Sequence, residues 1–242
     1  MTTSRSSRAT WRFPRNSAIV KTALTILFLA GATFATAEPL PDVLARMDRA
    51  AAEFHSLSAG MKRVQFTAVL SESSEMDGAV RLRRTKGGTQ GIVEFKQPEQ
   101  RTVFINGKQV QIYYPKAKNV EIYDTSKYTS NMDQILLLGF GTSAAELKKS
   151  YDIKDGGVQK INGVDTTRIE LTPRSDEMKK LITKIELWIP DGQSNPVRAK
   201  FSEPSKNYEL VDYSDIKVNP ALPESAFAWK LPGKVKKMYP QK

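Results

Sequence analysis

GIVEFKQPEQRTVFINGKQVQIYYP, residues 91–115, decides the fold class. Apolar and polar residues alternate through GIVEF, RTVFI and KQVQI, the period of a strand with one buried face. Asn106-Gly107 stands between the second and third runs. It is the strongest short hairpin signal in a sequence and favours a type I′ turn. An antiparallel meander is predicted, with Val93, Phe95, Val110 and Ile112 among its apolar positions.

The same period extends both ways. Upstream, VQFTAVL sets Val64 and Phe66 against Gln65 and Thr67. After a loose-looking loop at 71–78, Gly78 opens AVRLRRT, with Val80, Leu82 and Arg84 on one face and Arg81 and Arg83 on the other. Downstream come NVEIYD, YDIKD, a Gly156-Gly157 turn, VQKI, an Asn162-Gly163 turn, DTTRIELTP, KLITKIELWIP, PVRAKFS and NYELVDYSDIKV. In KLITKIELWIP, Leu181, Thr183, Ile185, Leu187 and Ile189 share a face. About eleven strands at regular spacing predict a mainly β (α+β) protein: one strongly curved antiparallel sheet.

Helical spacing occurs in few places. Residues 42–57 put Val43, Met47, Ala50, Phe54 and Leu57 on one face, with Asp42 placed to cap the start. The run QILLLGFG, residues 134–141, is the greasiest stretch after the N-terminal region. Residues 131–138 predict a short helix ended by Gly139 and Gly141, and Ser143-Ala144-Ala145-Glu146 is a capping-box pattern for a second. Four adjacent aliphatics, Ile135 to Leu138, span more than one helical turn and cannot all face one way.

Residues 1–37 read as a secretory signal peptide. Arg5, Arg8, Arg12, Arg15 and Lys21 precede a mostly apolar Thr22–Phe34 and the small-residue site Ala35-Thr36-Ala37. The stretch is short of the roughly 20 residues of a membrane span. Residues 38–242 are then one domain of 205 residues, expected to be exported to the periplasm or the outside medium, which the signal alone does not separate. The chain carries +11, five charges of it in residues 1–37, leaving +6 (11 − 5). No basic-aromatic block accompanies that charge, so nucleic acid is not an expected partner. There is no Cys and a single His, His55, which leaves no nucleophile–base–orienter set and no metal or cofactor site of recognisable spacing. Enzyme chemistry is not expected.

What remains is a sheet lined by Val, Ile, Leu and Phe and covered by apolar helix faces. Such a pattern fits a cavity for an apolar ligand, but a filled core fits it too and is favoured by pattern alone.

The ordered features resemble the LolA family, the periplasmic carriers of outer-membrane lipoproteins. They are the helix at 42–57, Gly78 with Arg84 six residues on, Asn106-Gly107-Lys108 with Tyr113 and Pro115, the apolar 131–138, Leu171-Thr172-Pro173, and Phe227-Ala228-Trp229-Lys230-Leu231-Pro232-Gly233. The resemblance covers roughly residues 42–236. It implies an incomplete β-barrel under a helical lid, and a hydrophobic cavity for lipoprotein acyl chains or another lipid. The partners implied are an inner-membrane lipoprotein-releasing transporter and an outer-membrane acceptor, with the carrier expected as a monomer. A lipid-binding sensor or adaptor in envelope signalling is the alternative on the same fold.

The lining expected is Val64, Phe66, Val80, Leu82, Val93, Phe95, Val110, Ile112, Ile185 and Leu187. The lid is Ile135, Leu136, Leu137, Leu138 and Phe140. By the resemblance, Arg84 latches the lid by hydrogen bonds; a strand-end arginine turned to solvent is the other reading of that residue. The chain departs from the family pattern after Arg84, where Thr85-Lys86-Gly87-Gly88 stands in place of a proline and an aromatic-rich run.

Overall fold

The computed structural model describes residues 38–126, 135–231 and 233–240. The signal peptide expected at 1–37 and the first part of the expected lid helix, 131–134, lie outside the described residues. Those described belong to one compact unit, Thr36–Lys242.

Among the described residues, twelve strands form one sheet in the order β12-β6-β5-β4-β3-β2-β1-β11-β10-β9-β8-β7. They are β1 (Ser56–Thr67), β2 (Glu72–Thr85), β3 (Gly88–Gln97), β4 (Arg101–Asn106), β5 (Gln109–Tyr114), β6 (Asn119–Asp124), β7 (Tyr151–Ile161), β8 (Val164–Pro173), β9 (Lys184–Pro190), β10 (Arg198–Ser202), β11 (Tyr208–Val218) and β12 (Lys236–Met238). Neighbours are antiparallel except β12, which runs parallel to β6. The sheet is curved and does not close into a barrel; β7 and β12 are its edges.

The helices whose full bounds lie among the described residues are α1 (Leu40–Glu53), α2 (Ala144–Ser150) and α3 (Asp176–Lys179). α1 is shorter than the 42–57 expected. Phe54 leaves the helix in an extended conformation, and Ser56 already pairs with β2. Asp42 does not cap it: Pro39 holds the cap position, and the Asp42 N–H donates to Pro39 O. The second helix starts as its sequence pattern requires. The Ser143 hydroxyl accepts from the Glu146 N–H, and the Glu146 carboxylate accepts from the Ser143 N–H.

Several elements differ from the sequence reading. The loop at 71–78 is the first half of β2. Its polar residues have poor strand propensity, but every position from Glu72 pairs with β1, and that ladder decides. Gly156-Gly157 does not end a strand; it is an irregularity within β7, which pairs with β8 on both sides of it. The β4–β5 turn is Gly107-Lys108, with Gly107 at φ +54°, because Asn106 pairs with Gln109. Residues 176–179 are helical and Leu181 is exposed, so Leu181 and Thr183 fall outside β9. The tail at Phe227 is a 3-10 turn, Glu224–Phe227, and β12 is an unforeseen twelfth strand.

One face of the sheet, here the inner face, carries α1, α2 and the run 135–141. Two apolar clusters fill it. Under α1 and α2, Val43, Leu44, Met47, Leu138 and Leu147 pack on Ile169, Leu171, Ile185, Leu187, Ile189 and Ala199. Beside it, Phe54, Leu137 and Phe140 pack on Leu57, Ala59, Val80 and Leu82. Tyr213 of β11 borders both clusters, edge-on to Phe140 at 5.2 Å. Burial pushes its hydroxyl far above the ordinary phenol range, so it stays neutral at the seam.

The tail straps the outer face. Arg83 makes two hydrogen bonds to the Glu224 carboxylate and lies 4.4 Å from the centre of the Phe227 ring. Trp229 stacks on Phe104 at 6.3 Å and donates to Gln111. The chain thus passes from β11 across β2–β5 to pair β12 with β6.

Candidate functional site

Register places the apolar side chains of the inner face in rows. Leu57, Leu82, Gly91, Ile105 and Val110 lie opposite one another across β1–β5. Ala59, Val80, Val93, Val103 and Ile112 form the next row, and Met61, Gly78, Phe95 and Arg101 the one after. Gly91 has a packing reason: a Cβ there would stand 2.5 Å from the Leu82 side chain. Val93, Val103, Val110 and Ile112 are half-buried.

Six of the ten expected lining residues, Val80, Leu82, Val93, Phe95, Val110 and Ile112, share this surface. The other four do not. Val64 and Phe66 alternate with the inward Leu57, Ala59 and Met61, so they face outward, where Phe66 stacks on Tyr208 at 5.0 Å. Both faces of β1 carry apolar residues, and the parity read from VQFTAVL picked the wrong one. Ile185 and Leu187 are on the inner face but fully buried beneath α1, in filled core.

The cover is the run 135–141. Ile135 and Leu136 are helical and half-buried, and a turn follows. The Leu137 carbonyl accepts from the N–H groups of Phe140, Gly141 and Thr142. Leu137 and Phe140 point to the β1–β3 rows, and Leu138 joins the cluster under α1. The two glycines are sterically required. Gly139 has φ +80°, and a Cβ on it would meet Pro196 at 2.6 Å; a Cβ on Gly141 would meet the Phe54 ring at 2.7 Å.

Arg84 sits at the glycine end of this cover. Its Nη2 donates to Gly141 O (2.5 Å) and its Nη1 to Ala51 O (3.4 Å), while the guanidinium lies 5.6 Å from the centre of the Phe54 ring. Its own N–H donates to His55 O (2.9 Å), fixing β2 to the exit of α1. One side chain therefore bridges β2, the last turn of α1 and the cover. The Arg84 residue remains exposed, because it borders a cleft of about 640 Å³ lined also by Asp48, Ala51, Thr89, Leu137 and Glu146. None of the ten expected lining residues borders that cleft. The acids there are engaged: the Asp48 carboxylate accepts from the Ala144 N–H, and Glu146 caps α2.

Two arginines at the far end of the inner face escaped the sequence reading. Arg63 and Arg101 flank Phe95 at 6.0 and 4.7 Å from its ring centre, and Arg63 pairs with Glu209. Their inward parity was the available signal. Among the described residues, no group of three or more His, Cys, Asp or Glu side chains could hold a metal ion. No described helix is long and apolar enough to cross a membrane.

An open, curved sheet with an apolar inner face and a tethered cover defines the LolA-like class. The family model described as outer membrane lipoprotein carrier protein LolA matches residues 68–230, and the chain belongs to that family. No curated protein matches the chain in sequence. Among solved structures, an uncharacterized conserved protein from Thermus thermophilus is similar at 13% identity and TM-score 0.50, covering 82% of this chain and 98% of that one. The Mycobacterium tuberculosis lipoprotein LppX is 17% identical over 76% of this chain and 99% of its own, with TM-score 0.46. The Pseudomonas aeruginosa MucA/MucB complex gives 14% identity, 80% and 62% coverage, and TM-score 0.45. At 13% identity the likeness to the Thermus thermophilus protein is one of fold alone.

Proposed function

We propose that the protein is a periplasmic carrier that takes lipoprotein acyl chains onto the inner face of β1–β5, beneath the 135–141 cover. It does so without enzyme chemistry, receiving cargo from an inner-membrane transporter and passing it to an outer-membrane acceptor. The observation that carries this reading is the Arg84 bridge. A short segment covers the apolar rows and is tied at its glycine end by a hydrogen bond from Arg84 to the Gly141 carbonyl, which can be broken and remade.

Magnitudes support a movable cover. Withdrawing Leu137 and Phe140 from the sheet costs at most about 3–6 kcal/mol, taking about 1.5–3 for each fully buried side chain. Breaking the Arg84 hydrogen bonds adds about 1–2 kcal/mol. An acyl chain returns about 0.8 kcal/mol per buried methylene, so about ten methylenes roughly balance the opening. A ligand with two or three chains is then bound well, and a single free fatty acid poorly.

Native mass spectrometry of the protein drawn from its own periplasm tests this reading. A triacylated peptide in the complex supports the lipoprotein carrier. Phospholipid alone, together with no release of lipoproteins from spheroplasts, removes the lipoprotein claim and leaves a carrier of another lipid. A stable protein partner whose binding depends on lipid, with no shuttling, points to the sensor reading instead.

A further inference from the structure

The turn at 68–71 joins β1 to β2 and presents two large aliphatic side chains to solvent. Val69 is 89% exposed and Leu70 63%. The tip is ordered: Leu70 N–H donates to Thr67 O and Ser71 N–H to Ala68 O, both at 3.2 Å, and Ser71 adopts φ +54°. Asn207 Oδ1 accepts from the Ala68 N–H at 2.9 Å, which ties the tip to the β10–β11 turn. Turns of this kind favour Gly, Asn, Asp and Ser. Nothing in the local geometry rewards Val and Leu there.

The residues behind the tip are layered. On the outer face Phe66 stacks on Tyr208, and Lys200 Nζ lies 4.4 Å from the centre of the Tyr208 ring. Lys206 stands in the adjoining turn. At the same end of the sheet, Thr183 N–H donates to Ser202 O, and the 66%-exposed Leu181 stands two residues before Thr183, next to Lys179 and Lys180 in the chain. The aromatic pair, with Lys200 reaching back over Tyr208, thus stands directly behind the aliphatic tip. Segments at a membrane–water interface have this order, with rings and lysines at the headgroups and aliphatics deeper.

We propose that the Val69–Leu70 tip inserts into the surface of a lipid bilayer, with Leu181 as a second contact. A narrow two-residue tip offers far less than the roughly 800 Å² per partner of a standard protein interface, whereas a wedge suits acyl chains. Glu72, Glu203, Asp176 and Glu177 lie in the same turns and segments as Lys179, Lys180 and Lys206, so local charge nearly cancels and insertion of the aliphatics drives the contact. The inference rests on this end of the sheet and is independent of what lies under the 135–141 cover.

The absence of cysteine makes the test site-specific. Leu70→Cys and Lys86→Cys, the latter in the turn at the opposite end of β2, are each labelled with nitrobenzoxadiazole in the full chain. Each is titrated with phosphatidylethanolamine–phosphatidylglycerol vesicles. The label at 70 should brighten several-fold and shift to the blue, and the label at 86 should not. Adding Val69→Ser to the Leu70→Cys chain should raise the half-saturating lipid concentration roughly three- to tenfold. Because a label reports only its own surroundings, adhesion through residues 1–37 does not mimic the result. No response at 70, an equal response at both positions, or a half-saturation indifferent to Val69→Ser would each overturn the proposal.

Discussion

Arg84→Leu separates a latch from a surface arginine. The side chain makes two hydrogen bonds to carbonyls, to Gly141 O at 2.5 Å and to Ala51 O at 3.4 Å, the second at the edge of bonding distance. A hydrogen bond to a charged group contributes about 1.5–3 kcal/mol. Arg84 is exposed, so solvent competes for the donor and the net loss should be about 1–2 kcal/mol. That loss multiplies the population of an opened cover about five- to thirtyfold. Hydrogen exchange reads it locally. The amides of Phe140, Gly141 and Thr142, all bonded to Leu137 O, should lose protection by that factor. The β9 amides from Ile185 to Ile189, beneath α1, should not change. Arg84→Lys, which keeps the charge but not the two-pronged fork, should fall between. With the cover freed, the protein should also stay lipid-loaded longer and release cargo more slowly. If the 140–142 amides kept their protection, or every amide lost it equally, Arg84 would have no part in holding the cover.

Other consequences follow from the same geometry. Gly141→Ala should lower stability by about 1–3 kcal/mol in a thermal melt, because the new methyl meets three atoms of the Phe54 ring between 2.7 and 3.1 Å. Leu136→Ser with Leu137→Ser should weaken lipid binding more than folding, measured by lipid titration beside urea unfolding; the opposite ranking would make 135–138 plain core. Arg83 holds the Glu224 carboxyl below its usual range, so this clasp stabilises the folded state above the ordinary carboxyl pKa and is lost as pH falls through the lowered one. Trp229 fluorescence, taken as the difference from Trp229→Phe, should therefore report loosening of the tail in acid below about pH 4, and no change between pH 6 and 8.

The sheet was legible because alternation is local. GIVEF, RTVFI and KQVQI each state their period within five residues, and Asn162-Gly163 turns the chain where its pattern requires, with φ +49° and +83°. The capping box of α2 was legible for the same reason. Arg84 could be placed on the face of Val80 and Leu82 by counting in twos. Its acceptors could not, since Gly141 lies 57 residues away and Ala51 33.

The misreadings arose where a distant partner outweighed local preference. Residues 72–77 are too polar to announce a strand, yet β1 supplies a ladder for them. β1 is apolar on both faces, so only its packing under Phe54 and Phe140 shows that Leu57 and Ala59 face inward and Val64 and Phe66 outward. Ile185 and Leu187 have the pattern of cavity walls and of filled core alike, and α1 fills the space above them. The sequence by itself determined a curved antiparallel sheet, a short greasy cover ended by glycines, and an inward-parity arginine beside it. The tertiary structure alone decided which apolar rows the cover hides and which carbonyls hold it down. Periodicity records the face a side chain takes, whereas contact depends on what the rest of the chain brings opposite it.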